Sequence, residues 1–470
     1  MRTLIKNGTV VTAAEEAAAD VLVDGEKVVG IAAPGAHGWT ADQTIDATGK
    51  LVVPGGIDVH THMELPFGGT FASDSFETGS RAAAWGGTTT IVDFALQTKG
   101  GSIMDGFETW MAKAEGNCAI DYGFHMIVGD VNDQTLKEMD VVMGEGVTSF
   151  KLFMAYPGVL YSTDGEILRA MQQGAENGST IMMHAENGIA IDVLIAQAIA
   201  RGETDPIYHG IVRKSILEGE AAHRAIKLAD LSGAPLYIVH MSAQEALAEV
   251  TAARDEGLNV FAETCPQYLF LSLDDMGNGF EGAKFVCSPP LRDRSDGHQE
   301  ALWSGLATND LQVVSTDHCP FFFDDDPQQG RQKRLGEGNF TKIPNGLPAV
   351  ENRFELIYHG AVAEERLSVK RWVEVCATAP AKMFGLYPQK GTIAVGSDAD
   401  IVVFDPNGRH IISAATHHMR TDYSCYEGFE VAGKAETVMS RDKVIIQNDA
   451  YLGKPGDGKY LRRDINQYLL

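Results

Sequence analysis

Lys151 stands in an apolar run, Ser-Phe-Lys151-Leu-Phe-Met-Ala-Tyr156-Pro, where an ionisable side chain is out of place. Burial disfavours an ammonium ion. A neutral amine can add carbon dioxide to give a carbamate, and the two carbamate oxygens can bridge two cations. Upstream lies the pair His60-Thr61-His62, and downstream lie His184, His240 and Asp317. Residues i and i+2 of a strand point to the same side, so His60 and His62 can reach one metal ion. Four imidazoles and one carboxylate can hold two divalent metals but leave a gap between them, which a carboxylated Lys151 would fill. Each piece also has a plainer reading. A lone His-X-His usually binds nothing. His184 (Met-Met-His-Ala-Glu) and His240 (Ile-Val-His-Met-Ser) could each be a hydrogen-bonded core histidine, and Asp317 (Ser-Thr-Asp-His-Cys-Pro) could cap a helix. Taken together, at corresponding ends of apolar segments, they favour metal ligation, with Asp317 as ligand and proton shuttle. His318 should face away from Asp317 and is left out. Cys319 reads as a packed thiol rather than a nucleophile. His125, Asp93 and Glu263 are assigned to packing or to support of the ligands. His37, His209, His223, His298, His359, His410, His417 and His418 carry no signal.

The elements that must position these residues are visible as eight short apolar segments. They fall near Ile57–His62, Thr89–Phe94, Tyr122–Val128, Phe150–Met154, Ile181–His184, Leu236–His240, Val260–Thr264 and Gln312–Thr316. Near-continuous apolar runs are what parallel strands buried on both faces require. Helical periodicity fills most gaps, as in Glu218–Ser232 and Gln244–Glu256. Eight βα units predict a (β/α)8 barrel within the α/β class, with a doubly wound sheet as the competitor. His60 and His62 end the first strand, Lys151 lies in the fourth, His184 ends the fifth, His240 ends the sixth and Asp317 follows the eighth. Barrel active sites gather at these carboxyl ends. Residues 1–55 and 391–450 instead read as short strands with Asn-Gly and Asp-Gly turns. Neither has strands enough to stand alone, so the two ends should share one small β-sandwich. The predicted division is 1–55 and 389–450 for the sandwich, 56–388 for the barrel, and 451–470 for a polar extension used between subunits.

Composition narrows the partners. A net charge of −26 over 470 residues argues against nucleic acid, whose phosphates demand a basic face, and gives no reason to expect a membrane surface. No apolar signal core opens the chain, and no uncharged run approaches the roughly 20 residues that span a bilayer. The expectation is a cytoplasmic protein. The six scattered cysteines (118, 265, 287, 319, 376 and 425) fit reduced thiols rather than a disulfide framework.

The motifs Gly-Gly-Ile-Asp-Val-His-Thr-His, Phe-Lys-Leu-Phe-Met-Ala-Tyr-Pro, His-Ala-Glu-Asn, Cys-Ser-Pro-Pro-Leu-Arg, Thr-Asp-His-Cys-Pro-Phe and Lys-Ile-Pro-Asn-Gly together resemble the dihydropyrimidinase/hydantoinase branch of the cyclic amidohydrolases, over essentially the whole chain. The resemblance implies two zinc ions per subunit, with manganese or cobalt as substitutes. His60, His62 and Asp317 would bind the more buried ion, His184 and His240 the more exposed one, and Lys151, as N6-carboxylysine, would bridge them. It implies that Tyr156 hydrogen-bonds the carbonyl under attack, that backbone groups of Ser288 and Asn345 hold the ring amide, and that Met63, Leu65, Phe67, Phe153 and Leu160 surround the ring substituent. The implied reaction is hydrolytic ring opening of 5,6-dihydropyrimidines or 5-substituted hydantoins to N-carbamoyl amino acids, as in pyrimidine degradation, by a metal-bridging hydroxide. The implied assembly is a homotetramer or homodimer. Allantoin- or dihydroorotate-hydrolysing relatives share this centre, and non-catalytic scaffold relatives have lost its ligands, whereas all six ligand positions are filled here. One departure stands out: the acidic segment 321–330 looks longer than the family's and is expected near the mouth of the site.

Overall fold

In the computed structural model, which describes residues 1–324, 326 and 328–469, the eight apolar segments become eight parallel strands arranged in chain order. They are Gly56–Thr61, Thr88–Leu96, Asp121–Ile127, Ser149–Phe153, Thr180–His184, Leu236–Ile238, Val260–Thr264 and Val313–Val314. Nearly every residue in them is buried, which explains the absence of polar alternation. The barrel closes through backbone bonds between the segment after the eighth strand and the first: His62 N–H donates to His318 C=O at 2.9 Å, and Thr61 bridges His318. Two strands are shorter than the sequence suggested. The sixth stops at Ile238, so His240 sits in an irregular turn with φ 40°. The eighth keeps only two residues, because the Thr316 hydroxyl and N–H turn to Asp58 (2.7 and 3.2 Å) rather than extending the ladder.

The helices between strands follow local signals. Asp164–Asn177 begins at Thr163, whose hydroxyl and Glu166 form a reciprocal cap, and ends at Gly178 with φ 78°. Each such helix lays its apolar stripe on the barrel and returns the chain to the bottom of the next strand.

The chain ends meet in one continuous nine-stranded sheet. Leu51–Pro54 is the joint: it pairs in parallel with Arg2–Val11 and antiparallel with Ile401–Ile411. The sheet encloses its own small core, including Val21, Val23, Val52, Ile401 and Met439. A buried charge cluster fastens it to the barrel. Lys390 Nζ contacts Asp121 (2.5 Å) at the start of the third barrel strand, and Asp398 and Asp400 (3.0 and 2.6 Å) at the sheet.

The tail expected to be a polar extension for subunit contacts is docked on its own barrel. Tyr460 bridges Tyr122 and stacks near Phe124, and Arg463 Nη2 donates to Ser149 Oγ at 3.0 Å. Arg463 and Asn466 are buried: Arg463 also donates to Phe124 C=O, and Asn466 Nδ2 lies 3.1 Å from Met383 Sδ. Among the described residues, no helix is long and apolar enough to cross a membrane.

Candidate active site

A cavity of about 1060 Å³ opens at the carboxyl ends of the strands. His62, Lys151, His184, His240 and Asp317 line its floor, and His60 lies fully buried beneath them. Asp317 Oδ1 is 3.1 Å from both His60 Nε2 and His62 Nε2, and Lys151 Nζ is 3.0 Å from His60 Nε2. One atom each from His60, His240 and Asp317 lie within 4.8 Å of one another, and the His184 and His240 rings are 4.5 Å apart. His240, Asp317 and Tyr156 all take positive φ (40°, 54° and 61°), a conformation L-residues adopt only when the surroundings enforce it.

The donor set fits divalent metal ions. Glu263 accepts from His60 Nδ1, and Glu186 accepts from His184 Nε2 at 2.8 Å. Each carboxylate fixes a tautomer and frees the other ring nitrogen's lone pair for a ligand. His62 Nδ1 and His240 Nδ1 are buried without a hydrogen-bond partner among the described residues. Burial pushes His62 down to about 3 and His240 well below the usual histidine range, so both imidazoles are neutral, as ligation requires. Asp317 is held well below the ordinary carboxylate range: burial opposes this, but His60 and His62 outweigh it. Lys151 has no ion-pair partner among the described residues. It faces the rings of Phe94 (4.4 Å) and Phe153 (5.0 Å), and burial lowers its pKa to about 8.

Above the floor, Tyr156, Ser288 and Asn345 converge. Asn345 Nδ2 donates to Ser288 Oγ (3.1 Å) and to Tyr156 Oη (3.4 Å). Burial first, then the charge of Glu186, pushes Tyr156 up to about 12, so it is a neutral donor. The backbone N–H and C=O of Asn345 and of Ser288 make no hydrogen bond to other described residues. Paired backbone donors and acceptors left open on a cavity wall can receive an amide. Leu65, Phe67, Phe153 and Leu160 line the same cavity, with Phe67 edge-on to Tyr156 at 5.5 Å.

Three expectations are corrected. Met63 does not reach the cavity. Its N–H is held by Asp93 at 2.8 Å and its side chain is packed under the helix Phe76–Trp85, so closely that a Cβ on Gly79 would fall 2.2 Å from the sulfur. His209, dismissed from the sequence, is buried in the cavity wall. It donates through Nε2 to Cys287 C=O at 2.8 Å, and Arg213 donates to its Nδ1 at 3.3 Å. No periodicity marked either residue. The acidic segment 321–330 does not line the cavity in its described residues. Phe321, Phe322 and Phe323 are buried, Asp422 accepts from the N–H groups of Phe323 and Asp324, and Arg334 pairs with Asp324 at 2.9 Å. Asp325 and Pro327 of that segment lie outside the described residues.

Other residues sit as their types suggested. His318 turns away to Asp74 (3.0 Å). His125 bonds Ser149 and Val59 C=O. Cys319 touches the cavity, but burial raises its thiol well above the usual value, which disfavours the nucleophilic thiolate.

The sequence pattern of the amidohydrolase family matches residues 51–445. The chain is 63% identical over 472 residues to the D-hydantoinase of Streptomyces coelicolor, covering 100% of this chain and 99% of that protein. It is 47% identical to the D-hydantoinase of Geobacillus stearothermophilus, over 98% of this chain and 97% of that one. The crystal structure of dihydropyrimidinase from Brevibacillus agri superposes with a TM-score of 0.95 at 48% identity, covering 99% of each chain.

Proposed function

The chain belongs to the amidohydrolase family, whose members are metal-dependent, and from that premise we propose that it opens cyclic ureides by hydrolysis. The substrates are 5-substituted hydantoins and 5,6-dihydropyrimidines, and the products are N-carbamoyl amino acids. Two relatives named D-hydantoinase favour the D-enantiomer of a substituted hydantoin. In this reading His60, His62, Asp317, His184 and His240 hold two zinc ions. Lys151 Nζ would take up carbon dioxide, losing a proton, and the resulting carbamate would supply a further anionic ligand to that pair.

When bound, such a metal pair supplies an activated water and polarises the scissile carbonyl. The chain's own groups do the rest. Ser288 and Asn345 offer backbone donors and acceptors to the ring amide and fix its plane. The Tyr156 hydroxyl donates to the carbonyl oxygen as negative charge develops there. Asp317, an anion with one oxygen shared between two imidazoles, takes the proton of the attacking water. It delivers that proton to the ring nitrogen as the C–N bond breaks. Leu65, Phe67, Phe153 and Leu160 shelter the ring substituent from water.

The observation that carries the reading is the convergence, on one barrel rim, of a buried His60/His240/Asp317 cluster with a buried lysine that has no ion-pair partner among the described residues and an open backbone amide wall. The same reading includes a homotetrameric or homodimeric assembly, a cytoplasmic location, and division of the chain at 55/56, 388/389 and 450/451. Its test is steady-state kinetics on dihydrouracil, dihydrothymine, several 5-substituted hydantoins, allantoin and dihydroorotate, with metal content measured on the same sample. Hydantoins and dihydropyrimidines should be preferred, at about two metals per chain, consistent with a two-metal site. A preference for dihydroorotate or allantoin, or full turnover in metal-free protein, would overturn it.

A further inference from the structure

Lys333 is completely buried and no step of the reaction uses it. It opens the short turn Lys333–Gly336. Its Nζ donates to three backbone carbonyls: Val286 at 3.1 Å, Pro344 at 2.9 Å and Gly346 at 2.9 Å. An ammonium has three N–H donors, and here three acceptors meet them. Among the described residues no carboxylate pairs with it, and burial lowers its pKa to about 7, with the thiols of Cys287, Cys319 and Cys425 acting the other way. Burying a cation without a counter-ion is expensive, so the arrangement calls for a reason beyond filling space.

The three carbonyls belong to the two segments that carry Ser288 and Asn345. A trans peptide unit is planar, with its C=O and N–H antiparallel. The Pro344 carbonyl shares a plane with the Asn345 N–H, so the bond from Lys333 fixes the direction of that N–H. The Asn345 carbonyl shares a plane with the Gly346 N–H, which donates to Val286 C=O at 2.9 Å. Val286 C=O is itself held by Lys333. Gly346 fits this crossing because a Cβ there would fall 2.2 Å from the Cys319 carbonyl oxygen. Both peptide planes flanking Asn345 are therefore pinned from behind by one amino group, while their free N–H and C=O remain without partners among the described residues. The same turn carries Leu335 into the cavity lining, so the clamp ties the mouth to the substrate wall.

We propose that Lys333 is a positioning residue for substrate binding: its amino group, held by three carbonyls, aligns the Asn345 backbone groups that receive the ring amide. The inference rests on the ring-amide role given to those groups in the proposed function, and its test separates the two. Lys333→Met removes the donors, and Lys333→Arg keeps the charge but not the converging geometry. Hydrogen exchange followed by mass spectrometry should show peptides covering 286–288 and 343–347, including the Gly346 amide, exchanging about tenfold faster in both variants. The barrel strands should exchange as in the unaltered protein, with metal content unchanged. On a 5-substituted hydantoin the KM should rise about tenfold while kcat changes less than about threefold, because ground-state alignment is lost and the reacting groups stay. Where Lys333→Met folds poorly, the same measurements on Lys333→Arg decide. Unchanged exchange in these peptides, or a fall confined to kcat, would overturn the proposal. Absence of turnover in the unaltered protein would instead sink the proposed function, and the exchange result would still decide the clamp.

Discussion

Glu263 offers the sharpest test of how the metal floor is held. Its fully buried carboxylate serves three donors: His60 Nδ1 and the His240 N–H (3.2 Å) at Oε1, and the Tyr237 hydroxyl (2.9 Å) at Oε2. It therefore sets the tautomer of one proposed ligand and the backbone position of another. In Glu263→Gln the amide can turn its NH2 toward Tyr237, whose hydroxyl reverses to accept, leaving the amide oxygen on His60. The fold is retained, but a charge-assisted bond becomes a neutral one of about half the strength. Loss of such support typically lowers metal affinity by about 10- to 100-fold, or about 1.4–2.7 kcal/mol. Chelator competition on metal-depleted protein reloaded with zinc measures this directly, with thermal unfolding of the metal-free form as the check on folding. Tyr237→Phe is the control. It removes one donor but leaves the His60 contact, and should shift metal affinity by no more than about twofold. Wild-type metal affinity in Glu263→Gln, or an equal loss in Tyr237→Phe, would refute the reasoning.

Asp317→Asn should keep the fold and lower kcat by about 10²- to 10⁴-fold, the range of a lost proton carrier, measured at saturating metal; near-normal turnover would remove the shuttle. Tyr156→Phe should lower kcat by about 10²- to 10³-fold with metal content unchanged, checked by kinetics and metal analysis on one sample. Lys151→Ala should lose both metal and rate, partly restored by small carboxylic acids; two retained metals would contradict the bridging role. Metal-free protein should also show a pH signature. Carbamate formation needs the neutral amine, and a lysine brought from 10.5 to about 8 is neutral in about a tenth of molecules at pH 7, against about 1 in 3000 at its ordinary value. At fixed dissolved carbon dioxide, the rate of reactivation by metal should rise about tenfold per pH unit below about 8 and level off above it. A rise continuing past pH 9 would show an ordinary lysine.

Residue types and their spacing were enough to show which side chains could do chemistry and which local elements would carry them. Strand burial writes itself as apolar runs, so the eight strands and the candidate ligands at their ends were legible, down to the odd lysine. What a side chain touches across the barrel was not. His60 meets Glu263 across 203 residues, and Lys333 grips carbonyls, which leave no mark in side-chain type. His209 carried no signal, and Met63 looked like a loop contact. The tail read as a polar extension because buried arginine and exposed arginine are the same letter. Local periodicity is set by each segment's own backbone, so it survives in one dimension. Direction, partner and pKa depend on where distant segments come to rest, and those are fixed only once the chain has folded.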